Sequence, residues 1–284
     1  MNGVESVANE LEFKLVVSKK GKQRPKSKPK QQTAFHQLLD TPDSTVRSDI
    51  CQKSVITQLQ SAESDLLQSQ FFRECFENIG PVLVGVQNIV CLGLGSFHEC
   101  TIARYQLAFI RCLRNEAKLN VETQFFDPVF NRAEIDILQT LGETVLQENL
   151  EGKYSAERKT LFFLPHCPKQ IVNNLLWKNW HPERLTNVVL LCNSFSNVVN
   201  NNPERLLRNT ARFILRAVDL FCEEPVRNSF RFGDVFNDTS LHYLCDTEAI
   251  SPIVVDWNGA EEPTYEADDL ELISKQVVER LNIS

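Results

Sequence analysis

The strongest constraint on this chain's fold is a beat of four apolar runs, each ending in a short polar motif. Asn88–Leu92 leads into Gly93-Leu94-Gly95-Ser96, and Val121–Phe126 into Asp127-Pro128. Thr160–Leu164 leads into Pro165-His166-Cys167-Pro168, and Val188–Cys192 into Asn193-Ser194-Phe195. Runs that are apolar on both sides suit parallel strands buried on two faces, not half-solvated ones. Helical patterns lie between and after them, over 100–118, 131–141, 168–180 and 203–222. The last predicts one long helix, with Asn202 as cap, Pro203 at its start, and Leu206, Leu207, Phe213, Ile214, Val218 and Phe221 along one side. Strand alternating with helix predicts an α/β, Rossmann-like three-layer domain with a mostly parallel sheet. The four endings then fall along the sheet's carboxyl edge, where such folds place ligands.

The flanks read differently. Residues 1–43 form a basic tail expected to be disordered, with Lys19, Lys20, Lys22, Arg24, Lys26, Lys28 and Lys30 set among Pro, Gly, Ser and Gln. Such a segment has no apolar groups to offset its ordering entropy. It reads as a nuclear-import signal or as a solvated linker. Residues 44–80 carry Ile56, Leu59, Leu66, Leu67, Phe71 and Phe72 at helical spacing, which predicts a helical extension packing on the main domain of 81–284. In that domain Glu143–Leu146 is expected as a short strand. SFRF (229–232), SLHYL (240–244) and PIVVDW (252–257) are expected as edge strands, and 268–281 as a surface helix.

Charge and cysteine usage narrow the function. The chain carries a formal net charge of −7, but residues 1–30 hold eight basic and three acidic side chains, which leaves the rest at −12. An acidic body does not track a phosphate backbone, so direct DNA binding is not expected. The nine cysteines are odd in number and lack a CxxC pair, which predicts reduced, buried thiols of an intracellular protein. No run approaches the roughly 18 apolar residues of a membrane span.

Each strand ending has a chemical and a structural reading. Gly93 and Gly95 free the backbone to approach a ligand, with Ser96 beside them, but His98 stands where GxGxxG requires its third glycine. The shorter GxG suits an S-adenosylmethionine-type pocket better than a pyrophosphate, and a tight strand-to-helix turn also needs glycine. Asp127 either takes ribose hydroxyls or shapes the strand exit. His166 is held in a fixed turn facing the cleft or is structural. Cys167, before Pro168, could offer an axial thiolate to haem, whereas no metal site is expected, because a structural zinc needs four ligands. Asn193 and Ser194 can donate and accept to a polar ligand, but Ser194 lacks the GxSxG elbow of a hydrolase. Trp177 and Trp180 read as packing.

Taken in order over roughly residues 80–200, CLGLGSF, QLAFI, FFDPVFNRAEIDIL, LFFLPHCP, NLLW and LLCNSF resemble the Sensitivity to Red Light Reduced (SRR-like) family. The motif positions are Gly93, Gly95, Ser96, Asp127, Pro128, Pro165, His166, Cys167, Asn193 and Ser194. The resemblance implies a regulator in a circadian-clock input pathway, with animal relatives linked to haem biosynthesis and clock-gene expression. It also implies placement in cytoplasm and nucleus, and it supplies no established enzymatic activity. The expectation is a regulatory protein acting through a small-molecule or protein partner at the carboxyl edge. A methyltransferase-like enzyme binding S-adenosylmethionine or a nucleotide in the same cleft is the alternative, and a haem-responsive sensor a third reading.

Overall fold

The computed structural model describes residues 42–245, 257 and 261–265. The basic residues at 19–30, the helix expected at 268–281 and all but Trp257 of the strand expected at 252–257 lie outside them.

In chain order the elements are α1 (Pro42–Gln68), α2 (Gln70–Val82), β1 (Asn88–Leu92), α3 (Thr101–Glu116), β2 (Thr123–Phe126), α4 (Arg132–Thr140), β3 (Thr144–Val145) and β4 (Thr160–Phe163). They continue as α5 (Lys169–Lys178), α6 (Pro182–Leu185), β5 (Val188–Asn193), α7 (Phe195–Asn200), α8 (Glu204–Thr210), α9 (Arg212–Ala217), β6 (Phe221–Pro225) and β7 (Thr239–Leu244). The strands form one sheet in the order β3-β2-β1-β4-β5-β7-β6. β1 pairs in parallel with both β2 and β4, as do β2 with β3 and β4 with β5; β7 pairs antiparallel with β5 and β6.

Two apolar cores sandwich the sheet, because each central strand is buried on both faces. Ile89, Cys91, Leu161, Phe163, Val189 and Leu191 face one core, with the apolar sides of α1, α2, α3 and α4. Val90, Leu92, Phe162, Leu190 and Cys192 face the other, with α5, α8 and α9. Burying a large apolar side chain stabilises by about 1.5–3 kcal/mol, so this two-sided burial holds the strand ends in place. The three-layer, mostly parallel Rossmann-like arrangement is the one the apolar runs predict.

Three expectations are corrected. The long helix over 203–222 is two short helices, broken where Ala211 takes φ −154° and ψ 39°. The Phe213 N–H freed by the break is accepted by Asn173 Oδ1 at 2.8 Å, and residues 221–222 open strand β6 instead. The segment 229–232 is not a strand: Phe230 packs its ring on Phe71 and Tyr105, with centroids 5.5 and 5.4 Å apart. Finally, not all thiols are free, since Cys222 and Cys245 form a disulfide with Cα atoms 5.0 Å apart. The antiparallel β6–β7 pairing brings these two together although no local spacing marks them. Cys75, Cys91, Cys112, Cys167 and Cys192 are free and buried, and Cys100 is free and exposed.

Candidate ligand cleft

The chain leaves β1 toward β2 on one side and returns to β4 on the other, so the carboxyl ends of β1 and β4 flank a topological switch point. Open α/β sheets leave a crevice there. Here it is a cavity of about 190 Å³ lined by Leu92, Gly93, Phe126, Asp127, Pro128, Val129, Asn149, Gly152, Tyr154, Cys167, Pro168 and Ile171. Its walls are mostly apolar, and Asp127 is the charged side chain among them.

Asp127 is fixed by the backbone around it. Its Oδ2 accepts the Gly95 N–H at 2.7 Å and its Oδ1 the Val129 N–H at 2.9 Å. Burial pushes its carboxyl above the usual range, while the Val129 and Gly95 donors pull against that. A carboxylate has about four lone-pair positions, so each oxygen retains capacity toward the cleft. The Gly95 contact also ties the β1 loop to the end of β2.

The rest of the glycine loop is held by Glu134, which the sequence reading did not single out. Fully buried on α4, it accepts Ser96 Oγ–H at 2.8 Å and the His98 N–H at 3.0 Å on Oε1. Its Oε2 accepts the Asn131 N–H at 3.1 Å, and Asn131 Oδ1 in turn accepts the Glu134 N–H, closing a capping box at the start of α4. The Asn131-x-x-Glu134 spacing was the available signal. The reach back to Ser96 was not, because it spans 38 residues.

The remaining motif residues divide. Cys167 is buried, and its thiol donates to the Leu92 carbonyl at 3.2 Å. Burial, with the Asp127 charge adding to it, pushes that thiol up to about 12. Cys167 also lines the cleft, as a protonated thiol. His166 beside it takes φ 52° and points to solvent, outside the cleft lining.

Ser194, just past β5, lies at a separate notch of about 340 Å³, lined also by Ser196, Glu223 and Asp238 among others, whereas Asn193 at the end of β5 lines neither cavity. There Ser194 caps α7 by accepting the Asn197 N–H, and Glu223 accepts the Ser196 N–H and Oγ–H at 2.9 and 2.7 Å. Three of the four strand endings thus share one cleft, and the fourth builds a second site. Trp180 is buried against Phe213, as packing. Among the described residues no group of three or more His, Cys, Asp or Glu could hold a metal, and no helix is long and apolar enough to cross a membrane.

A mostly parallel sheet with a largely apolar cleft at its switch point, and one carboxylate at the end of β2, defines a Rossmann-like α/β domain. The model of the SRR1 domain matches residues 72–243, and the chain belongs to that family. The SRR1-like protein of Drosophila melanogaster is 32% identical over 237 residues, covering 81% of this chain and 82% of the relative. The SRR1-like protein of Mus musculus is 38% identical over 46% of this chain and 53% of its own length. Protein SENSITIVITY TO RED LIGHT REDUCED 1 of Arabidopsis thaliana is 29% identical over 55% of this chain and 58% of its own. Among solved structures, the SAH-bound methyltransferase PaMTH1 of Podospora anserina is similar at 12% identity and a TM-score of 0.37, covering 75% of this chain and all of that one. A mutant of MtNAS in complex with S-adenosylmethionine is similar at 14% identity and a TM-score of 0.33, covering 73% of this chain and 81% of that one. Likenesses this distant say nothing of what this chain binds.

Proposed function

We propose that the protein is a regulator of the SRR1 family, in a circadian-clock input pathway, that acts by holding a small organic ligand in the β1–β2–β4 cleft. The observation that carries this reading is Asp127, a single carboxylate pinned by two backbone amides in the lining of a mostly apolar cavity. Few, well-placed polar groups in an apolar cleft are the usual make-up of a small-molecule site. The cellular setting comes from the family resemblance: regulation of clock-gene expression and haem biosynthesis, in cytoplasm and nucleus, with the basic tail supporting nuclear entry.

A methyltransferase-like enzyme in the same cleft is the alternative. The titratable lining groups are Asp127, Tyr154 and Cys167. Burial puts both the Tyr154 phenol and the Cys167 thiol at about 12, so neither serves as a base near neutral pH. That leaves Asp127, held by its two backbone donors, as the lining group able to take a proton.

The test is a thermal-shift screen of the full chain with S-adenosylmethionine, its demethylated product, nucleotides and haemin. A ligand at a hundredfold over its dissociation constant adds about 2.7 kcal/mol of stability. A shift that Asp127→Ala removes supports the cleft. No shift with any of them leaves a protein-partner role instead, and conversion of S-adenosylmethionine to its demethylated product would favour the enzyme.

A further inference from the structure

We infer that the cleft selects a phosphate-free nucleoside and turns away nucleotides and dinucleotides, an inference that rests on the cleft reading above. A glycine loop between a strand and a helix ordinarily binds phosphate through free backbone amides and the helix start. Here three of the loop's donors are spent on the protein itself. The Gly95 N–H goes to Asp127, and the Ser96 hydroxyl and His98 N–H both go to Glu134. Two internal carboxylates thus engage three donors that a phosphate would otherwise recruit.

The lining agrees. None of residues 94–101 reaches the cavity, so the start of α3 is not presented to a ligand there. No Lys, Arg or His stands in the lining, and Asp127 places a negative charge where an anionic group would have to sit. What the cavity offers is largely apolar surface from Phe126, Pro128, Tyr154, Pro168 and Ile171, with Asn149 and the Asp127 carboxylate in the lining. That pairing fits a heterocyclic base against the apolar walls and vicinal sugar hydroxyls donating to Asp127. A cavity of about 190 Å³ is below the roughly 300–1,000 Å³ that buries a whole drug-sized ligand. It therefore takes the base-and-sugar end and leaves any 5′ substituent outside. A neutral or cationic substituent is tolerated beside Asp127, and an anionic one is repelled.

The experiment is isothermal titration of the full chain with adenosine, S-adenosylmethionine, AMP, ATP and NAD at fixed pH and 0.15 M salt. The expected result is that adenosine and S-adenosylmethionine bind at least tenfold more tightly than AMP, and that ATP and NAD do not bind. Val129 lines the cleft and is half-exposed, so Val129→Lys is compatible with the fold and adds a cation at the rim. It should bring AMP to within a few-fold of adenosine. Equal binding of AMP or NAD and adenosine by the wild type overturns the selectivity while leaving the cleft as a ligand site. An unchanged AMP-to-adenosine ratio in Val129→Lys overturns its electrostatic basis. Failure of all five to bind rejects the cleft reading together with this one.

Discussion

Gly93 sits so tightly against Cys167 that a Cβ at position 93 would lie 2.3 Å from the Cys167 sulfur. Gly93 also holds φ at +67°, a region that side-chain-bearing residues rarely adopt. The glycine is thus required by the chain's own packing, whatever the cleft binds. Gly93→Ala should destabilise by about 2–4 kcal/mol, adding left-handed backbone strain to overpacking. In the Gly93→Ala/Cys167→Ala double mutant the overpacking disappears and only the backbone cost and the lost thiol remain. Urea titrations of the four proteins should give a favourable coupling of about 1–3 kcal/mol. Strict additivity would show that the sulfur contact does not matter.

Glu134 carries three donors into the interior, from Ser96, His98 and Asn131. Removing an acceptor strands buried donors at a cost of about 1–3 kcal/mol. Glu134→Ala should therefore cost about 3 kcal/mol, and Glu134→Gln, which keeps one oxygen, clearly less. Amide exchange at His98 and Asn131 should accelerate in the alanine variant. Alanine and glutamine variants of equal stability would mean the carboxylate contacts are not what holds the loop.

These two residues also show what could be read in advance. The central strands β1, β4 and β5 were legible because burial on both faces leaves runs such as TLFF and VVLLC without polar interruption. Gly93 and Asp127 were legible as strand endings, because the parallel topology places every such ending on one edge. Glu134 was not, since its partners lie 36 and 38 residues away and only its local capping box is written in the sequence. The break at Ala211 was hidden for the same reason. The apolar spacing runs through it unbroken, and the Asn173 side chain that makes it affordable comes from α5, 40 residues earlier. That Ser194 belongs to a second notch depends on β7 entering antiparallel beside β5, which local pattern does not reveal.

The Cys222–Cys245 bridge ties the edge strand β6 to the residue just past β7, closing a separation of 23 residues. A loop of that size stabilises by about 3 kcal/mol in the chain-entropy account. Reducing the protein with a phosphine should lower its melting temperature by several degrees. Cys222→Ser should melt where the reduced protein does and ignore the reductant. Peptide mapping under non-reducing conditions checks the pairing directly, and complete alkylation of both thiols in the oxidised protein would contradict it.

His242 lies buried on β7, its ring stacked on Phe195 with centroids 3.9 Å apart, and a ring nitrogen 3.3 Å from the Asn193 carbonyl. Burial lowers its pKa from 6.5 to about 4, despite the opposing pull of Glu223 and the Asn193 carbonyl. Glu223, its cross-strand neighbour on β6, is pushed up by burial, but hydrogen bonds from Ser194 and Ser196 outweigh this and hold it below the usual range. In the unfolded chain His242 takes its proton near 6.5; in the fold it resists until about 4. Between those values the unfolded state binds more protons, so stability falls as pH drops through the window, and none of it is lost above. The full loss is about 3 kcal/mol, and Glu223, depressed in the fold, adds a loss of the same sign at the acid end. Thermal melts from pH 7.5 to 4 should therefore show a decline that begins below about 6.5, the histidine's own range. His242→Phe, which keeps the stack on Phe195, should flatten that decline; an equally steep one in the variant would assign the proton uptake elsewhere.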